Sequence, residues 1–113
     1  MPDVVTGMFG VFYLDVYTMI DPGANISFVS PYVSMRFSVK PKLLKDPLHV
    51  STPVGESVIA ITVYRRCPIF VFHKTIPCDL IQLEMVDFDV IFGMDWLFDS
   101  YASVDCRTRV VRF

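Results

Sequence analysis

The sequence predicts an all-β domain whose sheet closes on itself like a barrel. Three observations predict it. Short runs rich in β-branched and aromatic residues recur along the chain, turn-forming residues separate them, and at most two segments carry helix signals. Many short strands with little helix suit a barrel or folded sheet better than a parallel one.

Taken in order, residues 4–12 and 16–20 read as two strands joined through Tyr13-Leu14-Asp15. That junction has no Asn-Gly or Asp-Gly dipeptide. Residues 25–29 continue extended. Ser30-Pro31 then marks a helix start, a serine able to cap and a proline at the first helical position, with the helix running to about Phe37. Lys40-Pro41-Lys42 and Lys45-Asp46-Pro47 predict a loop. Residues 48–51 and 58–64 form the arms of a hairpin with a polar tip at residues 52–57. Residues 67–72 and 76–83 supply two more strands around His73-Lys74-Thr75. Residues 88–92 form a short buried strand ended by Gly93. Residues 95–98 read as a helical turn with Asp95 as its N-cap, and residues 102–106 and 110–113 are the last strands. The run stops in a strand-like segment, as in a piece of a longer polypeptide.

At 113 residues the chain is one domain, spanning residues 1–113. A composition that is 53% hydrophobic and 14% aromatic excludes a disordered chain. A domain so small and apolar gains from burying surface against a partner. The net charge of −2 and the absence of a basic cluster beyond Arg65-Arg66 argue against nucleic-acid binding. Residues 4–20 are too short for a membrane span and carry Asp15, and Met1-Pro2-Asp3 offers no positive leader, so no membrane partner is expected. Three cysteines without a Cys-x-x-Cys pair fit a reduced, intracellular and cytoplasmic chain. The spacing of Cys67, His73 and Cys78 matches no common zinc pattern, so neither metal nor cofactor is expected. His49 and His73 lie in no nucleophile motif, and no glycine-rich phosphate loop is present.

Asp21 is the residue with chemistry to explain. It ends an apolar strand, where a carboxylate is costly unless hydrogen-bonded or functional. Gly23 permits a sharp turn that could aim its N–H at that carboxylate. Alone, Asp21-Pro22-Gly23 is also an ordinary turn composition. Its surroundings add to it: Ile20-Asp21-Pro22-Gly23-Ala24, then Ser27-Phe28-Val29-Ser30, then Val50-Ser51-Thr52-Pro53-Val54-Gly55, then Phe88-Asp89-Val90-Ile91-Phe92-Gly93-Met94-Asp95-Trp96-Leu97. In this order the blocks resemble the aspartic protease domain of gypsy-type LTR retrotransposon polyproteins, particularly those of plants. The resemblance spans about residues 5–113.

The resemblance implies a retropepsin-like closed barrel with one or two short helices, working as a homodimer on an extended polypeptide. It implies an aspartic endopeptidase that cleaves a retroelement polyprotein. Asp21 would be the catalytic aspartate, one per chain, in an active-site loop with Pro22, Gly23 and Ala24. Thr52, Pro53, Val54 and Gly55 would belong to a flap that closes over substrate. Ile91, Phe92 and Gly93 would pack beneath the active-site loop, with Asp95 as structural support. Asp87, Asp89 and Asp99 read as solvated or loop charges.

One position departs from the family pattern. Pro22 stands where a Ser or Thr hydroxyl normally ties the two loops together across the dimer axis. Proline has neither that hydroxyl nor an N–H. The missing bond costs on the order of 1 kcal/mol, felt in both copies. The change bears on dimer affinity and alignment more than on Asp21 itself. A second reading follows from it: a catalytically impaired retrotransposon remnant, acting at most as a self-associating β module.

Overall fold

The computed structural model describes residues 5–51, 57–71, 73–85, 88–99, 103–105 and 110–112. The strands are β1 (Val5–Val11), β2 (Leu14–Ile20), β3 (Phe28–Val29), β4 (Lys42–Ser51), β5 (Ser57–Val71), β6 (Lys74–Gln82), β7 (Val90–Phe92), β8 (Ser103–Asp105) and β9 (Val110–Arg112). Two short helices, α1 (Pro31–Ser34) and α2 (Met94–Asp99), lie between them. Neighbours run β1-β2-β7-β3-β6-β5, and β5 returns to β1 through Gly10↔Phe70 and Val11↔Ile69. These six strands close the barrel expected from the sequence. The first half of β5 carries β4 instead, as an edge strand outside the closed ring. Strands β8 and β9 pair with each other in a separate small sheet.

Several local expectations are corrected. The β1–β2 connection is only Phe12-Tyr13, and both residues have positive φ, 48° and 63°. A two-residue primed turn needs that backbone and normally takes Asn-Gly for it. Here tertiary contacts support the bend. Phe12 donates its N–H to the Pro68 carbonyl at 3.2 Å, and its ring lies 4.7 Å from that of Phe37. Regular pairing at residues 25–29 is confined to Phe28–Val29. Helix α1 ends at Ser34, earlier than Phe37, and the Ser30 hydroxyl makes no cap hydrogen bond. The Ser30 carbonyl instead accepts the N–H groups of Val33 and Ser34.

Residues 42–47, expected as loop, belong to β4. The register shifts between Leu43 and Leu48, so Lys45, Asp46 and Pro47 sit at an irregularity in an exposed strand. A sheet tolerates proline at such an edge. Likewise the segments expected as separate strands at 58–64 and 67–72 join, as far as Val71, into one fifteen-residue strand, β5, and Phe72 lies outside the described residues. Its register shifts between Tyr64 and Cys67, and Arg66 has φ 53°. Asp79 holds this bulge. Its carboxylate accepts the Arg66 N–H at 2.8 Å and pairs with the Arg65 guanidinium at 2.9 Å.

Two apolar clusters result. The larger packs Trp96, Phe92, Ile20, Ile69 and Leu80 inside the barrel, with the Phe92 and Trp96 rings stacked at 4.4 Å. The smaller joins Phe28, Ala60, Val63 and Ile81, and Ile26, Leu48, Val50, Leu83, Met85 and Ile91 cover it only in part. That partial cover leaves an apolar floor open on one side.

Candidate active site

Asp21 sits where β2 leaves its parallel partner β7. Ile20 is the last paired residue, opposite Phe92, and the Asp21 N–H still donates to the Phe92 carbonyl at 2.9 Å. The chain then turns sharply, with the Ala24 N–H donating to the Asp21 carbonyl at 3.0 Å. Within that turn the Gly23 N–H donates to the Asp21 carboxylate at 2.9 Å. A Cβ on residue 23 would lie 3.1 Å from that same oxygen, so glycine lets the amide and the carboxylate meet undisturbed. Pro22 occupies the turn with no N–H to offer, and Asp21 itself is half-buried.

A clamp from the other end of the chain fixes this loop. The Met94 N–H donates to the Ala24 carbonyl at 2.8 Å, and the Asp95 N–H to the Asn25 carbonyl at 3.3 Å. The Ser27 hydroxyl donates to the Asp95 carboxylate at 2.6 Å and accepts the Gly93 N–H at 2.9 Å. That carboxylate also takes the N–H groups of Trp96 and Ser27. Asp95 is therefore no N-cap. It lies inside the first turn of α2, and its charge is spent on the loop 68 residues away. Gly93 is required by space. A Cβ there would stand 2.6 Å from the Ile26 carbonyl oxygen and 2.8 Å from that of Ala24. Ile91 and Phe92 flank the same junction, Phe92 fully buried and Ile91 at the cleft.

Asp89 lies at a bend just before β7, a loop charge as read. It is half-buried, and its carboxylate accepts the Tyr17 N–H at 2.8 Å while its own N–H donates to the Tyr17 carbonyl. Asp99 is an exposed charge, as read, and Asp87 lies outside the described residues.

Asp21 opens onto a cleft of about 780 Å³. Met19, Ile26, Phe28 and Ile91 give it an apolar floor, Leu48 to Ser51 of β4 one wall, and Leu83, Glu84 and Met85 the other. Asp21 is the one aspartate among the described residues that line it. Thr52, Pro53, Val54 and Gly55 lie outside the described residues. The arms leading to them pair as Leu48↔Ala60, His49↔Ile59, Val50↔Val58 and Ser51↔Ser57.

Cys67 and Cys78 face each other across β5 and β6 as buried free thiols. Burial pushes the Cys67 thiol up to about 12 and raises that of Cys78 further, so neither is a ready nucleophile. Among the described residues no three His, Cys, Asp or Glu side chains come together as a metal site. No helix among them is long and apolar enough to cross a membrane.

Ser27 is the residue sequence reasoning passed over. It was visible only as one member of a block, and nothing local marks a fully buried serine as the link between Gly93 and Asp95.

An aspartate on a glycine turn, at the base of a cleft in a small closed barrel, defines the acid-protease class. The sequence matches the family described as retroviral aspartyl protease over residues 1–113, and the chain belongs to that family. Among solved structures it is similar to the retroviral protease-like domain of Ddi1 from Leishmania major. The TM-score is 0.72 at 18% identity, over 97% of this chain and 87% of that one. It is also similar to the EIAV protease in complex with the inhibitor HBY-793, with TM-score 0.68 at 16% identity over 88% and 90% of the two chains. At such identities the likeness is one of fold. No curated protein matches significantly.

Proposed function

We propose that the chain is a homodimeric aspartic endopeptidase that processes the polyprotein of a gypsy-type retroelement. The observation that carries this is the single Asp21 carboxylate, held by the Gly23 amide at the base of a peptide-sized cleft. One aspartate cannot serve as acid and base at once, so a second copy supplies the other. Two such carboxylates brought close hold one proton between them and titrate as a unit. The ionised member takes a proton from water as the water oxygen attacks the scissile carbonyl carbon. The protonated member gives its proton to the carbonyl oxygen. The amide nitrogen then takes the proton that the first aspartate drew from water, and as the C–N bond breaks a hydroxyl of the tetrahedral intermediate returns its proton to the other aspartate, which restores the dyad. An extended substrate would lie between the apolar floor and the hairpin wall, pairing its backbone with the strands beside it. The work would be intracellular, where free thiols persist.

Peptidase activity at mildly acid pH, sensitive to an inhibitor of active-site aspartates, is the expected result. Asp21→Asn should abolish it. Activity that survives that change would overturn the assignment. Pro22→Ser should restore a hydroxyl at the dimer axis and tighten association, read by sedimentation at a series of concentrations. Unchanged association would refute the role given to Pro22. The second reading, a self-associating remnant, is favoured by Pro22 alone, and dimers without peptidase activity would support it.

A further inference from the structure

The proposed substrate cleft carries one charge that the proposed chemistry does not use. Glu84 lies on the wall formed by the segment after β6, between Leu83 and Met85, and is exposed. The other acids in and around the site are each committed. Asp21 takes the Gly23 amide, Asp95 takes Ser27 and Trp96, Asp89 takes Tyr17, and Asp79 takes Arg65 and Arg66. The Glu84 carboxylate has no hydrogen bond or ion pair among the described residues. No lysine or arginine is among the described residues lining the cleft, and His49 is the one side chain there that can become a cation. A free carboxylate beside an apolar floor is a poor structural element and a good recognition element. A bound peptide displaces water from the cleft, which strengthens whatever charge pairing it brings.

We infer that Glu84 selects substrates bearing a lysine or arginine outside the scissile pair. This rests on the endopeptidase reading above and adds a charge requirement to it. The residues at the bond itself meet the apolar floor, whereas a long basic side chain further along can lay its stem on Leu83 or Met85 and reach the carboxylate with its head. In a two-fold dimer the second Glu84 lies on the opposite side of the scissile bond. The preference therefore holds on both sides of it.

Fluorescence anisotropy with labelled peptides tests this on the Asp21→Asn protein, which holds peptide without cutting it. The host peptide has an apolar central pair. One guest position, two to four residues to either side, carries Lys, Gln or Glu. The Lys peptide should bind about two- to tenfold more tightly than the Glu peptide at low salt, with the gap narrowing as salt rises. Glu84→Gln should remove the difference and Glu84→Lys should reverse it, both with unchanged melting because the residue is exposed. Equal binding of the three peptides, no binding, or a preference that persists in Glu84→Gln would overturn the inference. The same peptides offered to the unsubstituted chain separate the two claims. Failure to cleave any of them counts against the endopeptidase reading, whereas the anisotropy series judges Glu84 by itself.

Discussion

The two sides of the cleft are built on opposite plans. On one side, the loop from Asp21 to Ser27 is tied at every turn to the segment from Phe92 to Trp96, by backbone bonds and by a buried serine, carboxylate and amide. On the other, β4 is paired along one edge only and keeps most of its side chains in water, with a register shift in its middle. The first side leaves little room for adjustment; the second is held by its ladder to β5 and by Leu44, Leu48 and Val50 packed on the smaller apolar cluster. The difference matches what hydrolysis asks of each. In the proposed reaction the carboxylate that activates water would have to be held within a fraction of an ångström, while the covering wall would have to admit and release a chain. Local opening should therefore cost far less at β4 than at the Asp21 loop.

The hardest way to break the fixed side is Gly93→Ala. The new Cβ would meet two backbone carbonyl oxygens at 2.6 and 2.8 Å, and backbone cannot step aside as a flexible side chain does. We expect a loss of about 2–4 kcal/mol, seen as a fall in Tm of roughly 10 °C or more. Calorimetry on the purified variant checks it. A melting point within a degree or two of the parent would mean that the loop and α2 are less closely apposed than the geometry requires.

Removing the link instead of the space is the milder test. Ser27→Ala deletes the hydroxyl that accepts from Gly93 and donates to Asp95, leaving a buried amide and a carboxylate short of a partner. About 1–3 kcal/mol should be lost. The change should be non-additive with Asp95→Asn, because both act on one network. Denaturant titration of the two single variants and the double variant measures the coupling. Strict additivity would show that the serine and the carboxylate act independently, and the idea of a single clamp would fail.

The sequence disclosed these two sides unequally. Strands β1 and β2 were legible because apolar and β-branched residues fill them, and Asp21-Pro22-Gly23 stood out because a charge followed such a run. Residues 48–51 of β4 read as a hairpin arm, but residues 42–47 read as loop, because lysines and prolines normally punctuate chains. Here they occupy an edge irregularity, where a missing N–H does no harm. The Phe12-Tyr13 turn and the Arg66 bulge were equally hidden. Both have positive φ without glycine, and in each a contact distant in sequence holds the strained backbone, through Pro68 and Phe37 in one case and Asp79 in the other. The clamp was the least legible part of the site. Ser27 and Asp95 are 68 residues apart, and no local pattern announces that they meet.

The smallest expected effect sharpens the comparison most. Leu43 lies on β4, opposite Thr62 of β5, and is 76% exposed. Leu43→Ser removes a large apolar side chain from the loosely held side, as Ser27→Ala removes a small polar atom from the tightly held one. If β4 is an edge facing solvent, the leucine buries little on folding, and the change should shift stability by no more than about 0.5 kcal/mol in either direction. One hydroxyl on the fixed side would then outweigh an entire leucine side chain on the open side. Equilibrium unfolding at low and at high protein concentration decides the matter. A loss above 1 kcal/mol that grows with concentration would show that a second copy covers β4, and that this side of the cleft is braced by association instead of standing free.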